Sequence, residues 1–133
     1  MKKNILLILM LIVVFLTSCT QTVDYTILDK EKVNSMSAVS TYIDELQSSN
    51  SGYKGYKIFD ISDSNKVVVI SSGESNKTLK IHNIENSSKD TAITIVQTDL
   101  PSKQKNSYVV IRLDEIIGAF YVFERVQYEG TDN

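Results

Sequence analysis

The stretch "KVVVIS", Lys66–Ser71, decides the fold. It holds four successive β-branched residues, Val67 to Ile70, with no polar residue between them. In a strand, neighbours point to opposite faces, so Val67 and Val69 share one side and Val68 and Ile70 the other. A strand with one face in water would alternate apolar and polar, so this one reads as buried on both faces. Working outward, the polar "SDSN" (Ser62–Asn65) is a turn signal that joins it to "YKGYKIFDI" (Tyr53–Ile61). On the other side, "SGESN" (Ser72–Asn76) turns the chain into a returning strand, "TLKIHNIE" (Thr78–Glu85). Its alternation slips between Ile81 and Ile84, which predicts a bulge near His82 or Asn83.

The rest of the domain follows the same grammar. "NSSKD" (Asn86–Asp90) turns into "TAITIVQTD" (Thr91–Asp99), and the loop "LPSKQKNS" (Leu100–Ser107) leads to "YVVIRL" (Tyr108–Leu113). After "DEIIG" (Asp114–Gly118), "AFYVFERVQY" (Ala119–Tyr128) reads as a last strand. Before all of these, "VDYTIL" (Val23–Leu28) fits a first strand. Asp29–Gln47 fits a helix: Val33, Met36, Val39, Ile43 and Leu46 recur at spacings of 3, 3, 4 and 3, one apolar stripe at the helical period. Asp29 suits its N-cap, with Glu31 in the first turn. Strands joined by short polar turns favour antiparallel pairing. The expected fold class is α+β, with one N-terminal amphipathic helix packed on a five- or six-stranded, mainly antiparallel sheet.

The N-terminus has a different character. Lys2 and Lys3 precede twelve apolar residues, Ile5–Leu16, in a chain of 133. A membrane-spanning helix needs about 20 such residues, so the run is short for a permanent span. Its layout is that of a signal peptide. It ends in "LTSC", Leu16–Cys19, which carries the chain's one cysteine. These residues resemble the lipobox of bacterial lipoproteins, an aliphatic residue and two small ones before a cysteine. Small side chains at Thr17 and Ser18 let an extended backbone enter a peptidase site, and the Cys19 sulfur can accept a diacylglyceryl group. The resemblance implies cleavage between Ser18 and Cys19, with Cys19 lipidated. Two acyl chains give durable attachment, since each buried methylene contributes about 0.8 kcal/mol. The expected organisation is a signal peptide over 1–18, a lipidated tether over 19–22 and one domain over 23–133. The expected location is the extracytoplasmic face of the cell membrane.

With one cysteine, no internal disulfide or Cys-based metal site can form. Loss of Lys2 and Lys3 reduces 14 basic side chains to 12, against 16 acidic ones, a net charge of −4. Such a domain is a poor nucleic-acid binder, so none is expected as a partner.

A second resemblance rests on "VVVISSGESNKTLKIHNIE" (Val67–Glu85) and "AITIVQTDLPSKQKNSYVVIRL" (Ala92–Leu113). Their layout is similar to a C-terminal domain of bacterial protease-complex regulatory subunits and to small Gram-positive lipoproteins. Gly73, Glu74 and Pro101 match that pattern, whereas "SNKTL" stands where the regulatory family has paired glycines. The resemblance implies a binding or regulatory module.

Candidate chemistry is sparse. His82 is the sole histidine, and sequence gives it neither a nucleophile nor an orienting carboxylate. "DISDSN" (Asp60–Asn65) lacks the central glycine and closing glutamate of a calcium loop and reads as an Asx-rich turn. "SKQK" (Ser102–Lys105) has Ser-x-x-Lys spacing but follows a proline in a polar loop. "GES" (Gly73–Ser75) lacks the trailing glycine of a hydrolase elbow. No cofactor or metal is expected. The surface candidate is "GYKGYK", whose Tyr53, Lys54, Tyr56 and Lys57 could bind a polyanion or glycan by stacking and charge, or could simply connect helix to strand. "FYVFERVQY" (Phe120–Tyr128) adds aromatics that would form a ligand face only if exposed together. The expected function is a non-enzymatic binding module for a protein or cell-envelope component. The alternative is an envelope hydrolase using Glu74, Asp114 or Glu115, which would need two of them in one pocket, one with a raised pKa.

Overall fold

A computed structural model describes residues 20–48 and 52–126. Ser18, Cys19 and the apolar leader lie outside the described residues, as do the last residues of the expected final strand, Gln127 and Tyr128. In chain order the elements are β1 (Gln21–Thr22), β2 (Thr26–Ile27), α1 (Lys30–Asn34), α2 (Ser37–Ser48), β3 (Lys54–Ser62), β4 (Asn65–Ser72), β5 (Thr78–Asn86), β6 (Asp90–Thr98), β7 (Tyr108–Leu113) and β8 (Ala119–Arg125).

β4 behaves as its sequence requires. Val67 to Ser72 are all buried. Val68 and Ile70 join one core with Ile84, Ile93 and Ile111, while Val67 and Val69 join a second with Val39, Ile43 and Leu46. A strand buried on both sides needs a cover on each, and the single amphipathic stripe of this chain can supply only one. The other cover is a second sheet. The expectation of one five- or six-stranded sheet under a helix is therefore overturned. The described residues form two four-stranded sheets, β2-β7-β4-β3 and β1-β5-β6-β8, packed face to face over the first core, with two short helices on the far side of the first sheet. The molecule is mostly β, in three layers.

Pairing is antiparallel except between β6 and β8, which run parallel with Ile93 opposite Val122. That connection cannot be a hairpin. The chain leaves β6, passes through β7 in the other sheet and returns as β8. The β5–β6 register shifts between Ile81 and Asn83, so the expected bulge falls on His82.

The expected helix is broken in two, for a local reason. Asp29 caps α1 by accepting from the Lys32 amide at 2.9 Å. Four residues after Glu31, Ser35 stops it: its hydroxyl donates to the Lys32 carbonyl at 2.6 Å, and the Met36 amide tightens onto the Val33 carbonyl. Side-chain bonding of this kind competes with the helical ladder. The stripe survives the break, because Val33, Val39, Ile43 and Leu46 all reach the second core.

The sandwich has two unlike ends. β1 pairs Gln21 with Asn86, so the chain enters at the end where β5 turns into β6. There the Ser87 hydroxyl accepts from the Lys89 and Asp90 amides, and the buried Thr91 hydroxyl donates to Asn86 Oδ1 at 2.7 Å while accepting from the Ile117 amide at 2.8 Å. Gly118 lies against this turn at φ +54°, where a Cβ would meet the Lys89 carbonyl oxygen at 2.0 Å. β6 spans nine residues away from this end, roughly 25–30 Å at the usual rise. At its other end lie the Ser72–Lys77 connection, the Leu100–Ser107 loop and the C-terminus of β8.

Candidate functional site

At that second end a cavity of about 510 Å³ opens between the C-terminal ends of β6 and β8 and the connection from β4 to β5. Two inward-facing polar residues form its inner wall. On β6, the phase of Ile93 and Ile95 continues to Gln97, and on β8 the phase of Phe120 and Val122 continues to Glu124, opposite Ile95. Gln97 Nε2 donates to Glu124 Oε1 at 2.8 Å, whereas Gln97 Oε1 is buried without a partner among the described residues. Asp99, Arg125 and the Glu74–Lys77 turn complete the polar lining, and Leu100 and Val126 expose their apolar side chains at the rim.

Most of these charges are already paired. Lys54, from the edge strand β3, bonds to Glu124 Oε2. That hydrogen bond holds the Glu124 carboxyl below the usual carboxylate value, against a smaller opposing effect of burial. Lys77 Nζ meets Glu74 Oε2 at 3.0 Å, and the hydrogen bond raises the lysine's pKa, with the charges of Asp99 and Glu124 adding to it. Asp99 and Arg125 have no ion-pair partner among the described residues; the Arg125 guanidinium donates to His82 Nε2 at 3.0 Å. His82 thus sits exposed on the outer sheet face.

The loop walls are fixed by buried polar side chains. Asn106 Oδ1 accepts from the Gly73 amide at 2.9 Å, and its Nδ2 donates to the Tyr53 carbonyl at 2.8 Å. Gln47, at the end of α2, donates to the Asn106 carbonyl at 2.7 Å. Gly73 itself holds φ +76°, and a Cβ there would meet the Gly52 carbonyl at 2.6 Å. The glycine of the Gly-Glu turn is therefore required by close backbone approach.

The expected Tyr53–Lys57 surface does not converge. Lys54 and Tyr56 lean toward the second sheet, where Tyr56 packs on Phe120 at 4.7 Å and donates to its carbonyl. Lys57 lies on the opposite face of β3, its ammonium 4.6 Å from the centre of the Tyr42 ring. Only Lys54, through Glu124, touches the cavity region. Asp60 of the Asx-rich turn is held by Lys66 at 2.7 Å. Ser102 accepts from the Gln104 amide and Lys105 donates its amide to Gln47, so that loop pair is structural. Glu74 follows β4 and Asp114 follows β7; the two strands are antiparallel with Lys66 opposite Leu113, so these carboxylates lie at opposite ends. On the outer sheet face, Tyr121 and Phe123 stand exposed with their rings 6.1 Å apart, beside the cavity on β8.

Sequence reading missed Gln97, Asp99, Glu124 and Arg125. A signal was present: Gln97 and Glu124 are polar residues in the apolar phase of their strands. A second cavity, about 560 Å³ and lined by Val33, Tyr108 and Val110 among others, lies along the β2–β7 edge and is more apolar.

No known family pattern matches the chain, and no solved structure matches it. The protein is 32% identical over 130 residues to "Uncharacterized protein YycS" of Bacillus subtilis, covering 93% of each chain. The chain therefore belongs to the same family as YycS.

Proposed function

We propose that this protein is a membrane-anchored extracytoplasmic lipoprotein whose sandwich is a non-enzymatic binding module for a protein or cell-envelope component. The leader and "LTSC" support the anchor, with Cys19 as the acylated residue. The observation that carries the reading is the placement of the chain's entry: β1 begins at Gln21, two residues after Cys19, at the end of the sandwich remote from the cavity. A lipid on Cys19 would then hold the β5–β6 turn toward the bilayer and aim the cavity away from it. Nothing points to an enzymatic activity. The hydrolase alternative needs two of Glu74, Asp114 and Glu115 in one pocket; the strand register separates Glu74 from the other two, and Asp114 and Glu115 are exposed and line neither cavity described above.

The test is metabolic labelling of the full chain with an alkyne fatty acid in a bacterial host. The native chain should take up label, and Cys19→Ala should lose it and accumulate as the uncleaved precursor. Label retained by Cys19→Ala would defeat the anchoring.

A further inference from the structure

On the outer face of the β1-β5-β6-β8 sheet, the strand registers set the side chains in rows. The row nearest the open end runs Lys80, Val96, Arg125. The middle row runs Asn83, Thr94, Phe123, and the row nearest the closed end runs Glu85, Ala92, Tyr121. The β6 side chains are small and their neighbours long, so β6 floors a shallow trough. Strands lie about 4.8 Å apart, which puts the walls roughly 10 Å from each other, and the rows span about 13 Å along the strands.

One wall is aromatic. Tyr121 is 47% and Phe123 55% exposed, with their rings 6.1 Å apart and tilted by 24°. The other wall is polar, with Asn83 Nδ2 donating to Glu85 Oε1 at 2.8 Å. At the open end Arg125 reaches across β6 to donate to His82 Nε2 at 3.0 Å, and Val96 beneath it is only 7% exposed. That contact leaves Arg125 most of its five N–H donors. Neither Arg125 nor Lys80 has an ion-pair partner among the described residues. In a net-acidic chain, this end of the face is therefore locally basic; its nearest carboxylate on the face, Glu85, stands in the farthest row and is held by Asn83.

We propose that this face binds a short acidic oligosaccharide laid along β6. The C–H faces of its rings pack on Tyr121 and Phe123, its hydroxyls bond to Thr94 and Asn83, and a sugar carboxylate meets Arg125 and Lys80. The match is chemical. A sugar ring has an apolar face and polar edges, as a trough with one aromatic and one polar wall requires. Arg suits a carboxylate because its planar fork donates two parallel hydrogen bonds. A neutral sugar would forgo the two cations, and a simple anion would gain nothing from the aromatic wall. An exposed apolar patch rimmed by polar residues is itself a mark of an interaction site. With the anchoring proposed above, the strands rise from the bilayer and this face looks sideways into the envelope. The assignment names the ligand class of the proposed binding module and rests on that reading for its setting, though not for its chemistry.

The experiment titrates the full-length protein in detergent micelles with trigalacturonic acid, followed by amide NMR shifts. Two comparison probes are its methyl ester, which keeps the rings without the charge, and tripolyphosphate, which keeps charge without a ring. The expected result is saturable shifts at Thr94, Phe123 and Arg125, with the ester weaker by about ten-fold or more. Tripolyphosphate should give no saturable shift at Phe123. Phe123→Ser, at an exposed position, should weaken binding of the acid about five-fold or more and leave the fold intact. Equal binding of acid and ester to the native chain would overturn the proposal, as would tripolyphosphate matching the acid at the same residues. No saturable shift at millimolar trigalacturonic acid would also overturn it, without relying on any variant. Sugar failure combined with intact Cys19-dependent labelling would sink the ligand assignment and leave the anchoring standing. Sugar binding without labelling would do the reverse.

Discussion

The two ends of the sandwich solve opposite problems. At the β5–β6 turn, polar groups are matched to one another: Ser87 serves two amides, Thr91 serves Asn86 and Ile117, and Gly118 lets the backbone of the returning chain touch Lys89. At the other end, comparable polar side chains line a space and leave Gln97 Oε1 unmatched, with Asp99 and Arg125 unpaired among the described residues. Both ends close the same core, yet only one opens into a cavity lined by charged side chains. Polar atoms satisfied internally hold the fold at the first end, whereas the second leaves one buried acceptor without a partner among the described residues.

Substitutions should sort by end. Gly118→Ala should be the most damaging, because an alanine would have to hold φ +54° and push its Cβ into the Lys89 carbonyl. The expected loss is about 2–4 kcal/mol, read as a lower urea midpoint with unchanged slope. A stability equal to the native chain would show that the closed end is looser than described. Thr91→Val keeps the shape but removes the hydroxyl between Asn86 and Ile117, and about 1–3 kcal/mol should go with it.

At the open end, Asn106→Ala removes the tie between the Gly73 and Tyr53 backbones. It should cost about 1–2 kcal/mol and also speed hydrogen exchange at Gly73, leaving the β5–β6 turn unchanged. Glu124→Gln should matter least for stability. Lys54 is 60% exposed and the Glu124 side chain 29%, so the pair is worth no more than about 1 kcal/mol. Because Lys54 lowers the folded pKa of Glu124, the pair's contribution is full above the unfolded carboxylate value and is lost as pH falls through the folded one. The acid limb of a stability–pH curve should therefore flatten in Glu124→Gln. An unaltered limb would mean the pair is not held in solution.

Much of the secondary structure was readable from residues alone. The double burial of Lys66–Ser71, the bulge at His82 and the Asp29 cap depend on local period and side-chain chemistry, and the structure agrees with each. What escaped was partnership between strands. Alternation says that Ile93 and Ile95 point the same way, but it does not say that β8 will lie parallel beside them rather than next to β7. The division into two sheets was implied by β4, since one helical stripe cannot cover both of its faces. The two-residue strands β1 and β2 are too short to show a period. The cavity was hidden for the same reason as the sheets: Gln97 and Asp99 at the end of β6, Glu124 on β8 and Lys77 before β5 come from three separate segments and meet only after the sandwich closes. The Tyr53–Lys57 cluster shows the converse, since residues adjacent in a strand were parted by its pleat.

The most direct test of the account is site-specific photocrosslinking on intact cells expressing the full chain. One photoreactive residue replaces Leu100 at the rim of the open end, and another replaces Lys89 at the closed end. The account predicts envelope-derived adducts from position 100 and none from position 89. Adducts from position 89 alone, or equally from both ends, would contradict it.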